Sequence, residues 1–190
     1  MKKEFIMPKN FQKYFIAIVP EGKVQEKTTD LKLQLKEKFN LKYALKSPAH
    51  ITLKMPFVWN EAKQDKLALQ LALFFQDHSA FRLLLGGIGN FGKRVLYIKV
   101  GEDEKLKEMQ KNLTQICKTG LNLKSELSDY AYHPHMTLAF KDIKKPLFQD
   151  YLGYLRNQGF KDHIDVRDVA LLKKENRSWK VCHRFPLEKA

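Results

Sequence analysis

The sequence predicts a mixed α and β fold made of two related halves. Three observations carry that expectation. Short β-branched and aromatic runs alternate with segments of helical periodicity. The order strand, helix, strand, helix, strand occurs twice along the chain. The strand after the first helix of each half carries one pattern, H-φ-T-L with φ apolar, at His50–Leu53 and again at His135–Leu138.

Tyr14–Val19 (YFIAIV), closed by Pro20, reads as a buried strand. Val24, Thr28, Leu31, Leu35 and Phe39 fall on one helix face that ends near Asn40. Ser47-Pro48 signals a turn, and Ala49–Lys54 (AHITLK) alternates as a strand should. Asn60 is placed to cap a second helix bearing Leu67, Leu71, Phe74 and Phe75. Phe81–Leu85 and Arg94–Val100 read as strands on either side of a glycine-rich loop, GGIGNFGK. Asp103 and Gly120 bracket a third helix carrying Leu106, Met109, Leu113 and Ile116. After the strand His135–Phe140, Pro146 suits a first helical turn, Leu147, Tyr151 and Leu155 mark its face, and Gly159 ends it. Ile164–Leu172 and Trp179–Leu187 read as the last strands.

Composition narrows the function classes. Apolar residues at 44% and aromatics at 12% of 190 residues supply a core and exclude a disordered chain. No apolar run approaches the ~20 residues of a membrane helix. The start, MKKEFIMPKN, is basic, but Pro8, Lys9 and Asn10 break a signal-peptide core, and Cys117 and Cys182 lack metal-type spacing, so a reducing cytoplasm is expected. Lys and Arg exceed Asp and Glu by 35 to 21, a net +14 that suits a polyanionic partner. The charge is spread: 14 Lys against 8 acids in residues 1–80, and 21 basic against 13 acidic residues in 81–190. It marks a surface, not a tail.

The repeated tetrapeptide is the sharper signal, since chance would give H-x-T-L only about 0.03 times in this composition. Strand side chains two apart share a face, so His50 and Thr52 point one way and Ile51 and Leu53 the other; His135 and Thr137 repeat the arrangement. If the halves face each other, two imidazoles and two hydroxyls meet in one cleft. One imidazole can deliver a proton and the other remove one near pH ~6.5, while hydroxyls hold non-bridging phosphate oxygens. That set suits opening of a cyclic phosphodiester without a metal ion or other cofactor. His133 and His135 with His50 lack a carboxylate at ligand spacing, and neither a P-loop nor a GxGxxG sequence is present.

These motifs, with YFIAIVP, HITLKMPF and YHPHMTLAF around them, resemble the 2H phosphoesterase superfamily, which includes the bacterial RNA 2′,3′-cyclic phosphodiesterases also called 2′,5′ RNA ligases. The resemblance runs from about residue 12 to 187. It implies an α+β fold over residues 1–190 as one domain of two interleaved, pseudo-symmetric lobes, each an antiparallel sheet with outer helices, around a central groove. It further implies His50 as proton donor to the departing ribose oxygen, His135 as proton acceptor from water, and Thr52 and Thr137 as phosphate-binding residues. The expected substrate is RNA with a 2′,3′-cyclic phosphate end, opened to a 2′-phosphomonoester, or a small cyclic nucleotide; a non-catalytic RNA-binding protein is the alternative, and a monomer is expected. Where many relatives have Phe-Leu-Gly, this chain has Lys54-Met55-Pro56-Phe57. Lys54 and Arg94 are candidates to neutralise phosphate, and Phe57, Trp59, Phe91 and Tyr132 to stack on a base. Trp179 reads as core.

Overall fold

The computed structural model describes residues 10–188; all of the basic N-terminal segment before Asn10 lies outside them. Among the described residues eight strands alternate with five helices: β1 Phe11–Ile18, α1 Lys23–Phe39, β2 Ile51–Asn60, α2 Gln64–Phe75, β3 Phe81–Phe91, β4 Val95–Val100, α3 Glu104–Thr119, α4 Leu127–Tyr130, β5 His135–Phe140, α5 Phe148–Gln158, β6 Lys161–Val166, β7 Asp168–Glu175 and β8 Ser178–Pro186. All these strands join one curled antiparallel sheet in the order β6-β3-β4-β5-β2-β1-β7-β8.

That order contains the expected two lobes. β2-β1-β7-β8 and β5-β4-β3-β6 are equivalent quartets, each led by a motif strand. They meet where β2 pairs with β5 at a single register position, Ile51 with Met136. The chain crosses between the quartets twice, as β3 follows α2 into the second and β7 follows β6 into the first.

The helices cover one face. Leu31 and Leu35 of α1, Leu67, Leu71 and Phe75 of α2, Leu106, Met109 and Leu113 of α3 and Tyr151 and Leu155 of α5 share a core with Tyr14, Ile16, Ile51, Leu53, Met136 and Leu138 of the sheet. Each such apolar side chain contributes roughly 1.5–3 kcal/mol on burial. The other sheet face carries a small cluster of its own, Phe15, Ala17, Val19, Ala170 and Leu172, with Trp179 and Val181 against it.

The helix ends follow their sequence signals. Asn40 closes α1 at φ 58°, in the left-handed region that Asn tolerates. Asp103 caps α3 by accepting from the Leu106 amide at 2.8 Å. Asn60 caps the Ala62 amide of a 3₁₀ turn that precedes α2, not α2 itself. Pro146 likewise sits in a 3₁₀ turn before α5, so Leu147 stays exposed and Phe148 takes its place on the buried face.

Several boundaries differ from expectation. The strand read at Ala49–Lys54 begins at Ile51 and runs on to Asn60, so His50 stands just before it. GGIGNF is not a loop but the second part of β3. Gly87, at φ 73°, occupies the irregularity between Leu85 and Ile88, and Gly89 leaves room for a ring described below. The run Ile164–Leu172 breaks at Arg167 into β6 and β7, which lie in different lobes. α4 is a single turn with no apolar period to announce it, closed by a capping box between Glu126 and Asp129.

Candidate functional site

The seam between the lobes brings the two motifs together. Ile51 and Met136 are fully buried on the helix-covered side, so their neighbours His50, Thr52, His135 and Thr137 project from the opposite face, where all four are half-buried. In an antiparallel pair centred on Ile51 and Met136, one step either way sets His50 against Thr137 and Thr52 against His135. The two motifs thus flank the one Ile51–Met136 pairing, with their polar side chains on the same face of the sheet.

Both imidazoles are oriented in the same way. Nδ1 of His50 lies 2.8 Å from the Pro48 carbonyl, and Nδ1 of His135 lies 2.7 Å from the His133 carbonyl. A carbonyl only accepts, so each Nδ1 carries the proton and each neutral ring leaves its Nε2 lone pair for chemistry. Burial pulls His50 down to about 4; its bond to Pro48 opposes the shift, and the charges of Lys32 and His135 add to it. Burial also lowers His135, again opposed by its backbone bond, to His133, and reinforced by the His133 charge. Both rings are neutral at pH 7, and a phosphate anion between them would raise both.

The walls differ. Phe15 packs on His50 with centroids 4.9 Å apart, and the edge of Trp179 meets Phe15 at 4.7 Å. On the other side Phe91 meets His135 edge-on at 4.9 Å, Tyr97 tilts against it at 5.2 Å, and the Tyr97 hydroxyl lies 3.4 Å from Nε2 of His133. Gly89 makes that wall fit, since a Cβ there would sit 2.4 Å from the Tyr97 ring.

Of the candidates for stacking or phosphate contact, Phe91 packs on a motif histidine, His135. Lys54 is turned away from the groove. A bulge at Leu53 pairs Thr52 with Ala17 but Lys54 with Ile16, which switches Lys54 to the core side. There it is buried in an ion pair with Asp129 and donates to the Lys124 carbonyl at 3.0 Å. Phe57 is core, stacked on Tyr14 at 6.2 Å. Tyr132 packs on the main core with its hydroxyl buried, and burial raises its pKa. Trp59 packs on the same core and donates its indole N–H to the Lys63 carbonyl at 2.9 Å. Arg94 is exposed in the β3–β4 turn, three residues beyond Phe91. Trp179 belongs to the groove-side cluster, not the main core. Phe15, Tyr97 and Trp179 are within reach of strand alternation, which assigns them a face without saying that this face holds the site.

Among the described residues no group of three or more His, Cys, Asp or Glu side chains is arranged to hold a metal ion, and no helix is long and apolar enough to cross a membrane. A cavity of about 300 Å³ lies where β6 passes into β7, lined by Ile18, Val24, His163 and Arg167 among others and by none of the motif residues.

Comparison with known proteins agrees with this architecture. The family model described as the 2′-5′ RNA ligase superfamily matches residues 20–178. A Bacillus cytotoxicus protein named "Putative phosphoesterase" is 30% identical over 178 residues, covering 92% of this chain and 96% of its own length; a Bacillus mycoides protein of the same description is 29% identical over the same span. Among solved structures, a Thermus thermophilus protein superposes with a TM-score of 0.64 at 16% identity, over 93% of this chain and 98% of its own. Escherichia coli LigT in apo form superposes with a TM-score of 0.63 at 17% identity, over 94% and 99%. At such identities the structural likeness concerns the fold.

Proposed function

We propose that this chain, which belongs to the 2′-5′ RNA ligase superfamily, is a cyclic phosphodiesterase that opens nucleoside 2′,3′-cyclic phosphates at RNA ends. The observation that carries the reading is the Ile51–Met136 pairing that joins the two motif strands, with both imidazoles bonded to a carbonyl at Nδ1. The Thr52 and Thr137 hydroxyls donate to the non-bridging oxygens and hold phosphorus between the rings. Nε2 of His135 takes a proton from water as the water oxygen bonds to phosphorus. The bond from phosphorus to O3′ breaks, and His50, protonated as the anionic phosphate arrives, returns a proton to O3′. The products are a 2′-phosphomonoester and a free 3′-hydroxyl. The net charge of +14 favours encounter with RNA.

A small nucleotide is the second reading, favoured by the structures of Escherichia coli LigT complexed with 3′-AMP and with phosphate. The deciding experiment incubates the protein with an RNA ending in a 2′,3′-cyclic phosphate, and with the matching cyclic mononucleotide, and identifies the phosphomonoester formed. We expect the 2′-phosphate, an unchanged rate in EDTA, and a loss of roughly 10²–10⁴ in turnover for His50→Ala or His135→Ala. Full activity in both variants, or no product from either substrate, overturns the proposal.

A further inference from the structure

We propose that Gln25 is a positioning residue for His50: its carboxamide fills the strand-partner place that Pro20 leaves open, and so keeps the Pro48 carbonyl on the imidazole. The inference rests on the reading of His50 as a proton-transfer group.

The register sets up the need. β1 and β2 pair as far as Ile18 with Ile51, so two further steps would set Pro20 against Ala49. Pro20 has no N–H to donate to the Ala49 carbonyl, and its own carbonyl is taken by Gln25, while Ala49 is fully buried, so the Ala49 amide and carbonyl both need another partner in a place that water does not serve. Gln25, in the first turns of α1, supplies both bonds. Its Oε1 accepts from the Ala49 amide at 2.7 Å, and its Nε2 donates to the Ala49 carbonyl at 3.2 Å and to the Pro20 carbonyl at 3.1 Å. Every donor of the side-chain amide is used, which fixes its orientation.

Two more residues of α1 extend the grip. At helical spacings of three and four, Thr28 reaches Met136 (Oγ1 to Sδ 3.4 Å), and buried Lys32 donates to the Ser47 carbonyl at 3.2 Å. The carbonyls of Ser47 and Ala49 are thus tied to α1, and between them stands the Pro48 carbonyl that binds Nδ1 of His50. Rotating that carbonyl away would release the ring to the other tautomer and take the Nε2 lone pair out of the groove. His135 has its own acceptor in the His133 carbonyl and owes nothing to Gln25. It is the internal control.

The test is ¹⁵N NMR of the histidine rings at about pH 8, above the ordinary histidine range, on the wild type, Gln25→Met and Gln25→Glu. Both His50 and His135 should report Nδ1–H in the wild type. In Gln25→Met, His50 should become a mixture with Nε2–H while His135 is unchanged. Gln25→Glu keeps the acceptor for Ala49 but loses both donors, so it should fall between, and it serves if the methionine variant does not fold. With a cyclic phosphate, kcat should drop on the order of tenfold or more with KM nearly constant. A folded variant with the wild-type His50 tautomer, or one in which His135 changes as much as His50, overturns the inference. Because the tautomer is read without substrate, failure of the proposed hydrolysis leaves this result standing.

Discussion

The two quartets of the sheet carry the same instruction and surround it differently. In both, a strand reads His-apolar-Thr-Leu, the apolar positions face the helices, and Nδ1 donates to the carbonyl two residues back. Around His50, however, the wall is Phe15 backed by Trp179 and a cluster of aliphatic side chains. Around His135 it is Phe91, Tyr97 and a second imidazole, His133. Duplication of the backbone pattern therefore supplies two equivalent rings with different neighbours: burial carries His50 down to about 4, the charges of Lys32 and His135 adding to it, and burial also lowers His135, with His133 adding to it.

The largest effect tests whether the halves act as one unit. If His50 and His135 serve the same transition state, the double variant His50→Ala/His135→Ala should be little slower than either single one, each down by roughly 10²–10⁴ in kcat. Multiplied losses would instead mean two independent contributions and would break the symmetry argument.

The segments leading to the two histidines are also anchored differently, from α1 before β2 and from Lys54 before β5. Lys54 holds Asp129, whose carboxylate accepts from the Glu126 amide at 2.7 Å, close ahead of the His133–His135 stretch. Lys54→Met should leave a buried carboxylate unpaired and cost about 3–5 kcal/mol in urea unfolding, whereas replacing both partners with apolar residues should cost much less. A Lys54→Met protein with wild-type stability but a raised KM would return Lys54 to the groove and refute the bulge at Leu53.

pH separates the rings further. If the two rings act as acid and base, the kcat/KM profile depends on one being protonated and the other neutral, a product unchanged if their roles are exchanged. With both rings lowered, the bell should lie on the acid side of ~6.5. Stability has its own sign. The folded pKa of His50 is below its unfolded value, so the unfolded chain binds more protons between about 4 and ~6.5. Stability is complete above that window and declines as pH falls through it, by on the order of 3 kcal/mol from this ring. His50→Asn should flatten the decline in a thermal unfolding series. A profile centred above pH ~7 would contradict the burial of both rings.

What the sequence conveys, and where it stops, has the same physical basis. Alternation with period two places four motif side chains on one face and two apolar pairs on the other, because the bulges at Leu53 and Leu138 change the facing only of the residues beyond them. It fails one residue later, at Lys54, because a bulge resets the alternation and leaves no compositional mark. GGIGNF reads as a loop because glycine signals turns, yet here Gly87 serves a bulge and Gly89 an approaching ring. Trp179 reads as core because a half-buried strand usually has one; this curled sheet buries part of both faces.

Gly89 offers the smallest and most local test of the comparison. Its added Cβ in Gly89→Ala would meet Cε2, Cζ and the hydroxyl oxygen of Tyr97 at 2.4, 2.6 and 2.8 Å, so the ring must move. Tyr97 touches His133 and His135 but is not in contact with His50. The clash should cost about 1–3 kcal/mol of stability, and it should alter the NMR signals of His135 and His133 while leaving those of His50 in place. If instead both catalytic candidates shift together, the two walls are mechanically coupled across the Ile51–Met136 seam, and the lobes are not the independent surroundings that their different packing implies.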